Sequence, residues 1–226
     1  MITINGVTIT GGAQFNKPPP PEPGSVFFDR TVPQYLSTTV TAPNTDAVAY
    51  EWWAYPTASG DGNYAMLNTR SGGSSTGGIV VYIANTTLNV SQFGSVIFNG
   101  PTITTNTWHH VAVTRPSASN TWTVYLDGSS QGTFTGPTTS STTLWIGLLA
   151  SNEGYTGYIS NFRYVKGSQV YTGNFTPATS QLTAISGTDL LLNTMFNSDN
   201  FLIDSSENNR TIINNGGAVS SALDPF

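Results

Sequence analysis

The residues that could most readily carry chemistry are two adjacent histidines, His109 and His110, which are the only histidines in the chain. Histidine can ligate a metal ion or serve as the base of a catalytic triad. Adjacent side chains on a strand point to opposite faces, however, so these two cannot share one metal ion. No triad or zinc constellation can be completed around them. We therefore expect a structural role, with one imidazole packed in the core and the other partly exposed.

The acidic residues matter next, because glycoside hydrolysis needs two carboxyl groups flanking the scissile bond. A strand would present such a pair on one face at two-residue spacing. Glu51 is instead followed by two tryptophans in YEWWAYP, and Glu153 falls in SNEGY, which is typical of a loop. The sequence therefore predicts no catalytic residues. We expect Glu51 to hydrogen-bond within the fold, since a buried carboxylate needs partners.

Two predicted loops combine aromatic rings with amide and carboxylate groups, SGDGNY at residues 59–64 and SNEGYTGY at residues 151–158. Aromatic rings stack on the apolar faces of sugars while Asn and Asp side chains bind hydroxyl groups. Solvated turns that contain tyrosines by chance are the alternative. The combination predicts a carbohydrate site formed by Asp61, Asn63, Tyr64, Asn152, Tyr155 and Tyr158.

The composition excludes several classes of protein. Seven Lys and Arg residues form no cluster in a chain of net charge −5, which argues against a nucleic-acid partner. No apolar run reaches the length of a membrane span, and MITINGVTITGG lacks the features of a signal peptide, so neither membrane insertion nor ordinary export is expected. The chain has no cysteine, which removes thiol catalysis and zinc–thiolate sites.

The elements that must position these residues are predicted to be strands. Residues 1–16 alternate apolar and polar around Asn5-Gly6, a tight-turn signal, so we expect a small hairpin arm carrying Ile2, Ile4, Val7 and Ile9. KPPPPEPG, residues 17–24, predicts a semi-rigid spacer. A disordered tail is the alternative for both segments. Residues 25–226 read as short strands about ten residues apart, as in a sandwich.

Four segments in order resemble the laminin-G-like, concanavalin A-like jelly-roll family. They are VFFDRTVPQYLS, YEWWAYPT, WHHVAVTR with TWTVYLDG, and LWIGLLASNEGYTGYISNFRYVKG. Arg30-Thr31 departs from the Gly-Ser that the family usually has. The resemblance implies an all-β fold of two antiparallel sheets packed as a jelly-roll sandwich. Family members often hold Ca²⁺ at the sandwich rim, and Asp61 and Asn63 are the candidate ligands here; no other cofactor is expected.

VYTGNFTPATSQL and the closing LLLN…DSSENNRT are similar to versions found in marine bacteriophage virion proteins. That resemblance implies a non-enzymatic virion surface protein, either a capsid decoration protein or a tail fibre component. Residues 1–24 would dock on capsid or tail proteins by adding a strand to a partner sheet, while the jelly roll faces outward and binds surface glycans. A free extracellular lectin and a glucanase-type hydrolase are the alternatives, and a homo-oligomer stays open.

Overall fold

The computed structural model describes residues 2–4, 7–9, 22–60, 62–70, 77–138, 141–150, 152–196 and 201–226. All regular structure within these ranges is β-strand. In chain order the strands are β1 (Ile2–Ile4), β2 (Val7–Ile9), β3 (Glu22–Pro23), β4 (Ser25–Phe28), β5 (Tyr35–Thr39), β6 (Val48–Pro56), β7 (Tyr64–Asn68), β8 (Val80–Ala84), β9 (Thr87–Gln92), β10 (Ser95–Thr102), β11 (His109–Arg115), β12 (Thr121–Leu126), β13 (Ser129–Thr135), β14 (Thr143–Ile146), β15 (Gly157–Lys166), β16 (Thr188–Leu192), β17 (Met195–Phe196), β18 (Ile213–Asn215) and β19 (Val219–Ser221).

Two large antiparallel sheets form the sandwich. The seven-stranded sheet has the order β10-β9-β8-β7-β14-β5-β18. The eight-stranded sheet has the order β13-β12-β11-β6-β15-β4-β19, and β16 also pairs with β15. The prediction of an all-β, two-sheet antiparallel jelly-roll sandwich is confirmed. The described residues include no helix of the length and apolarity that a membrane crossing requires.

Strand β6 is the central strand of the eight-stranded sheet, paired with β11 on one side and β15 on the other. Its even-numbered residues from Val48 to Ala54 face the core between the sheets, where Trp52 stacks on Phe162 of β15 at 5.9 Å. Glu51 and Trp53 point to the outer face of the sheet. Bulky residues on both faces are typical of a strand covered on both sides, and both faces of this strand are largely buried.

A β-bulge in β15 decides which residues of that strand face outward. Ser160 pairs with Trp53, and the next registered pair is Arg163 with Glu51, so β15 carries one extra residue at this point. Asn161 lies in the bulge with φ 52°, a left-handed conformation that Asn tolerates better than most residues. The bulge brings the guanidinium of Arg163 to the outer face, beside the carboxylate of Glu51.

The N-terminal strands β1 and β2 form a two-stranded sheet of their own, which pairs Ile2 with Ile9, Thr3 with Thr8 and Ile4 with Val7. The hairpin expected at residues 2–9 is therefore present, while its turn at residues 5–6 lies outside the described residues. The spacer predicted at residues 17–24 is described only from Glu22 onward. There β3 pairs with β17 and Gly24 is buried, so residues 22–24 are part of the body.

Candidate functional site

The predicted sugar-binding loops meet at one end of the sandwich. Loop residues Asn63, Asn152 and Glu153 come together there with Tyr64, which begins β7, and with Arg30, which follows β4. We call these five residues the rim cluster. Asn63, Tyr64 and Asn152 belong to the site predicted from the sequence, whereas Arg30 does not. The one feature of the sequence that could have pointed to Arg30 is the departure of Arg30-Thr31 from the Gly-Ser that the family usually has.

Most polar groups of the rim cluster are bound to one another. The Arg30 guanidinium carbon lies 4.3 Å from the centre of the Tyr64 ring, and its Nη2 donates to the Asn152 carbonyl at 2.7 Å. The Asn63 amide donates a short hydrogen bond to the Glu153 carboxylate. Tyr64 is only 7% exposed, and Arg30 lies over its ring. In this conformation the ring is therefore not an open platform on which a sugar could stack.

The two remaining tyrosines of the predicted site lie elsewhere. Tyr155 is fully buried, its ring packs edge-on against Phe28 at 6.4 Å, and burial raises the pKa of its hydroxyl well above the usual value. Tyr155 is thus a core residue and lies away from the exposed rings that could contact a sugar. Tyr158 is half-buried on the outer face of the eight-stranded sheet, between Phe27 and Tyr55.

The calcium prediction depends on Asp61 and Asn63. Asp61 lies outside the described residues, and the Asn63 amide is bound to Glu153. Within the described part of the chain, no three His, Cys, Asp or Glu side chains lie close enough together to hold a metal ion. Calcium binding at this rim therefore stays a prediction.

Glu51 lies at the centre of a buried network on the outer face of the eight-stranded sheet. Its Oε1 accepts hydrogen bonds from Nε and Nη2 of Arg163, at 2.8 and 2.6 Å. Its Oε2 accepts from Nε2 of His110 at 3.2 Å and from the Tyr171 hydroxyl at 2.6 Å. The Glu51 side chain has no exposed area. The expectation that Glu51 hydrogen-bonds within the fold is confirmed.

These contacts set the protonation of Glu51. Burial by itself would raise the pKa of the carboxyl group. The hydrogen bond from His110, the positive charge of Arg163 and the bond from Tyr171 outweigh burial, and the pKa of Glu51 is lowered. The carboxylate therefore stays ionised, and it cannot act as the proton-donating acid that glycoside hydrolysis requires.

A segment without regular strands, residues 168–183, covers this network, and we call it the strap. Tyr171 and Phe175 of the strap stack with ring centres 3.6 Å apart, and both meet the His110 ring edge-on. Val170 has φ 59°, and the Tyr171 N–H donates to the Gln169 carbonyl. Residues 169–171 therefore form a strained γ-turn. The strap thereby seals Glu51 from solvent.

His109 and His110 point to opposite faces of β11, as their adjacent positions on a strand predicted, and both form hydrogen bonds within the fold. Nδ1 of His109 lies 2.8 Å from the Asp127 carboxylate, and its Nε2 lies 2.8 Å from the Thr104 hydroxyl. The backbone N–H of His110 donates to the other Asp127 oxygen at 2.9 Å. Both histidines are buried, at 9% and 0% exposure, so the expectation that one is partly exposed is wrong because Thr104 and Asp127 enclose it.

Comparison with known families agrees with this architecture. The family model Laminin_G_3, described as the concanavalin A-like lectin/glucanases superfamily, matches residues 31–170, which is more than half of the chain. The chain belongs to this superfamily. No curated protein sequence matches it significantly. The concanavalin A-like domain predicted from the four motifs is confirmed, while the bacteriophage context stays a prediction.

Solved structures with the same fold are distant in sequence. A protein from Bacteroides ovatus proposed to bind carbohydrate is 15% identical, with a TM-score of 0.61 over 91% of this chain and 61% of that one. A heptameric SAP-like pentraxin from Limulus polyphemus is 13% identical, with a TM-score of 0.57 over 90% and 97%. Domains LG4-5 of mouse laminin α1 are 14% identical, with a TM-score of 0.50 over 75% and 48%. At these identities the likeness shows the fold alone.

Proposed function

We propose that this concanavalin A-like domain is a non-enzymatic recognition module, displayed on a virion surface and directed at surface glycans. The state of Glu51 carries the non-enzymatic part of the proposal. This acid is fully buried, ionised, bound by Arg163 and covered by the strap. A glycosidase needs one carboxyl group that donates a proton and a second carboxyl group on the other side of the substrate. Glu51 is covered by the strap and can take neither place.

The glycan part of the proposal rests on the lectin-like fold and on the surface of the domain. Loops with hydroxyl, amide and aromatic side chains form the rim, and the chain has only 8% charged residues. Such a surface suits neutral ligands that are bound by hydrogen bonds and ring stacking. The Bacteroides ovatus relative was itself proposed to bind carbohydrate.

Glycan binding is tested with the full chain on an array of neutral, sulfated and sialylated glycans. We expect reproducible binding to a restricted set of glycans, and no reducing ends released from the bound polysaccharides after prolonged incubation. Absence of binding to every glycan would contradict the recognition role. Steady release of reducing sugar would contradict the non-enzymatic role and favour the glucanase-type alternative.

Placement on a virion is tested with residues 1–21. In the proposal these residues dock on capsid or tail proteins, so that the body points outward. We expect a chain lacking residues 1–21 to remain folded and to lose association with particles in sedimentation, while immunogold electron microscopy places the full chain on the capsid or tail. Association that survives the deletion would contradict docking by the arm. Glycan binding by a protein that never associates with particles would favour the free extracellular lectin.

A further inference from the structure

Four aromatic side chains form a line across the outer face of the eight-stranded sheet. Phe27 comes from β4, Tyr158 from β15, Tyr55 from β6, and Trp108 immediately precedes β11. These are adjacent strands, and the register pairs Tyr158 with both Phe27 and Tyr55. We call these four residues the aromatic row. Consecutive ring centres are 5.0, 5.8 and 5.5 Å apart.

The aromatic row is open where the rest of this face is covered. The strap covers Glu51, and Phe226 packs on Trp53 at 5.9 Å. The described ring contacts of Tyr55, the next outward position along β6, are with Trp108 and Tyr158. All four rings of the row are half-buried, and Val219, which pairs with Phe27 at the sheet edge, is 53% exposed.

The polar atoms of the aromatic row favour a ligand with hydroxyl groups. Within the described part of the chain, the hydroxyls of Tyr55 and Tyr158 have no hydrogen-bond partner and are not buried. Neighbouring rings are tilted or edge-to-face, at 47°, 79° and 64°. The row therefore presents ring faces, ring edges and two free hydroxyls along one line. A sugar, with its apolar ring faces and its hydroxyl rim, complements both kinds of group.

Size and charge decide between a glycan and a protein partner. Four neighbouring strands place the ends of the row about 14 Å apart, and a row one residue wide covers only about 100 Å². A stable protein interface buries roughly 800 Å² on each partner. None of the four residues carries a charge, so the row offers no counter-charge to the sulfate or carboxylate groups of an acidic glycan.

We propose that the aromatic row binds a neutral oligosaccharide of several sugar units, laid across strands β4, β15, β6 and β11. This inference rests on the proposed recognition of glycans and gives it a location and a ligand class. The row lies on the same end of the sandwich as the rim cluster, because β4 and β6 end there and β15 and β11 begin there. A chain bound along the row therefore extends toward the loops that the sequence analysis singled out.

The test measures binding of neutral glucan, mannan and galactan oligosaccharides of one to six units to the full chain, alongside matched sulfated forms. Binding is followed by tryptophan fluorescence. We expect affinity to rise with length up to the span of the row, with no gain from sulfation. Y158A is expected to raise Kd at least tenfold. Y55F and Y158F remove only a hydroxyl group, and each is expected to raise Kd about threefold. W108F is expected to remove most of the fluorescence change.

Matched controls come from a second aromatic pair, Tyr35 and Trp145, which lie 4.9 Å apart on the outer face of the seven-stranded sheet. Y35F and W145F are expected to keep wild-type affinity and fluorescence response. The Phe variants of the row keep the ring, so their effect does not depend on whether Y158A folds.

Failure of this inference is distinguishable from failure of the proposed function. Glycan binding that is unchanged in Y55F, Y158F and W108F but lost in R30A would overturn the row and retain the recognition role at the rim. Tighter binding of sulfated than of neutral forms would overturn the ligand class. Self-association that the row variants abolish, without a change in glycan affinity, would show that the row is an interface between copies and would overturn the proposal. Absence of any glycan binding would overturn both.

Discussion

At the scale of single residues, the side chains of Glu51, His109 and His110 all take part in hydrogen bonds within the fold. Glu51 is bound by three side chains, and both ring nitrogens of His109 have partners. His110 binds Glu51 through Nε2, while its Nδ1 is buried without a partner. A buried carboxylate without partners would be costly, and its partners stabilise the charged form. The network is therefore a means of holding the sheet and the strap together, and its loss should appear in stability.

We predict that E51Q lowers the free energy of unfolding at neutral pH by about 3–5 kcal/mol, because it leaves the buried Arg163 charge without a counter-ion. The pKa of Glu51 is lowered in the fold, so its contribution is present above the ordinary carboxyl pKa and is lost as the pH falls below it. The variant should therefore lose less stability than wild type between neutral and acid pH. Urea unfolding at pH 7 and pH 3 measures both effects. E207Q, at an exposed position, is the control, and an E51Q as stable as wild type at pH 7 would contradict the assignment.

For Tyr155 we expect that removing the polar group does not destabilise the fold, in contrast to E51Q. Its hydroxyl is buried without a hydrogen-bond partner, and removing an unsatisfied polar group is neutral or favourable. We expect Y155F to keep or raise the thermal unfolding midpoint, by up to about 1 kcal/mol in stability. Y155A should destabilise by about 3–5 kcal/mol because it leaves a cavity beside Phe28. Differential scanning calorimetry checks both, and a large loss in Y155F would indicate an unseen partner for the hydroxyl.

At the scale of elements, the strap is the unit that the strands do not explain. It has no ladder of its own and is held at a few points. Arg163 donates to the Thr183 carbonyl at 2.7 Å, Asn161 in the bulge accepts from the Leu182 N–H at 2.9 Å, and the Phe175 N–H donates to the Gly128 carbonyl at 2.8 Å. The bulge and the hairpin turn at Gly128 therefore add backbone attachments to the side-chain bond between Tyr171 and Glu51.

We predict that G128A loosens the strap. Gly128 has φ 77°, and an added Cβ would collide with the Phe175 carbonyl. The expected result is faster chymotrypsin cleavage within residues 168–183 and a lower unfolding midpoint. G94A is the matched control, because Gly94 also occupies a hairpin turn with φ 79° but has open space around it. Both variants carry the cost of the backbone conformation, so equal cleavage rates in the two would contradict a specific attachment at Gly128.

At the scale of the whole molecule, the described strands of the N-terminal hairpin share no sheet with the sandwich. Strands β1 and β2 pair only with each other, whereas Gly24 already belongs to the body, where its carbonyl accepts from the hydroxyls of Ser160 and Thr194 at 2.6 Å each. Among the described residues, Glu22 is therefore the first that pairs with the body. In the proposed function, this division would leave the sandwich free to bind a ligand while the arm docks on a particle.

Two truncations test this division. Deleting residues 1–21 is expected to leave the unfolding midpoint unchanged, because no strand pairing of the body is removed. Deleting residues 1–24 should lower the midpoint by several degrees, because it removes β3 and leaves two buried hydroxyls without their acceptor. Thermal unfolding followed by circular dichroism measures both. Equal midpoints for the two truncations would contradict the boundary at Glu22.

The sequence by itself determined the all-β class, the family and the opposite directions of the two histidine side chains. These follow from the alternation of apolar residues, from Gly and Asn turns, and from the opposite directions of neighbouring side chains on a strand, all of which are local. The match of four ordered motifs depends on the same local patterns. Glu51 could be expected to have partners, but nothing near it in the chain identified Arg163 or Tyr171.

Only the tertiary structure decided where the candidate site residues lie. Tyr155 and Tyr158 are three positions apart, yet Tyr155 lies in the core and Tyr158 on the outer face. The reason is that Tyr155 precedes β15, which begins at Gly157, whereas Tyr158 is part of it. The Asn161 bulge turned Arg163 toward Glu51, and Arg30 covered Tyr64 from a loop distant in sequence. The aromatic row likewise joins four strands from separate parts of the chain. Side chains that meet through sheet order and register leave no local pattern in the sequence, which is why these arrangements could not be read from it.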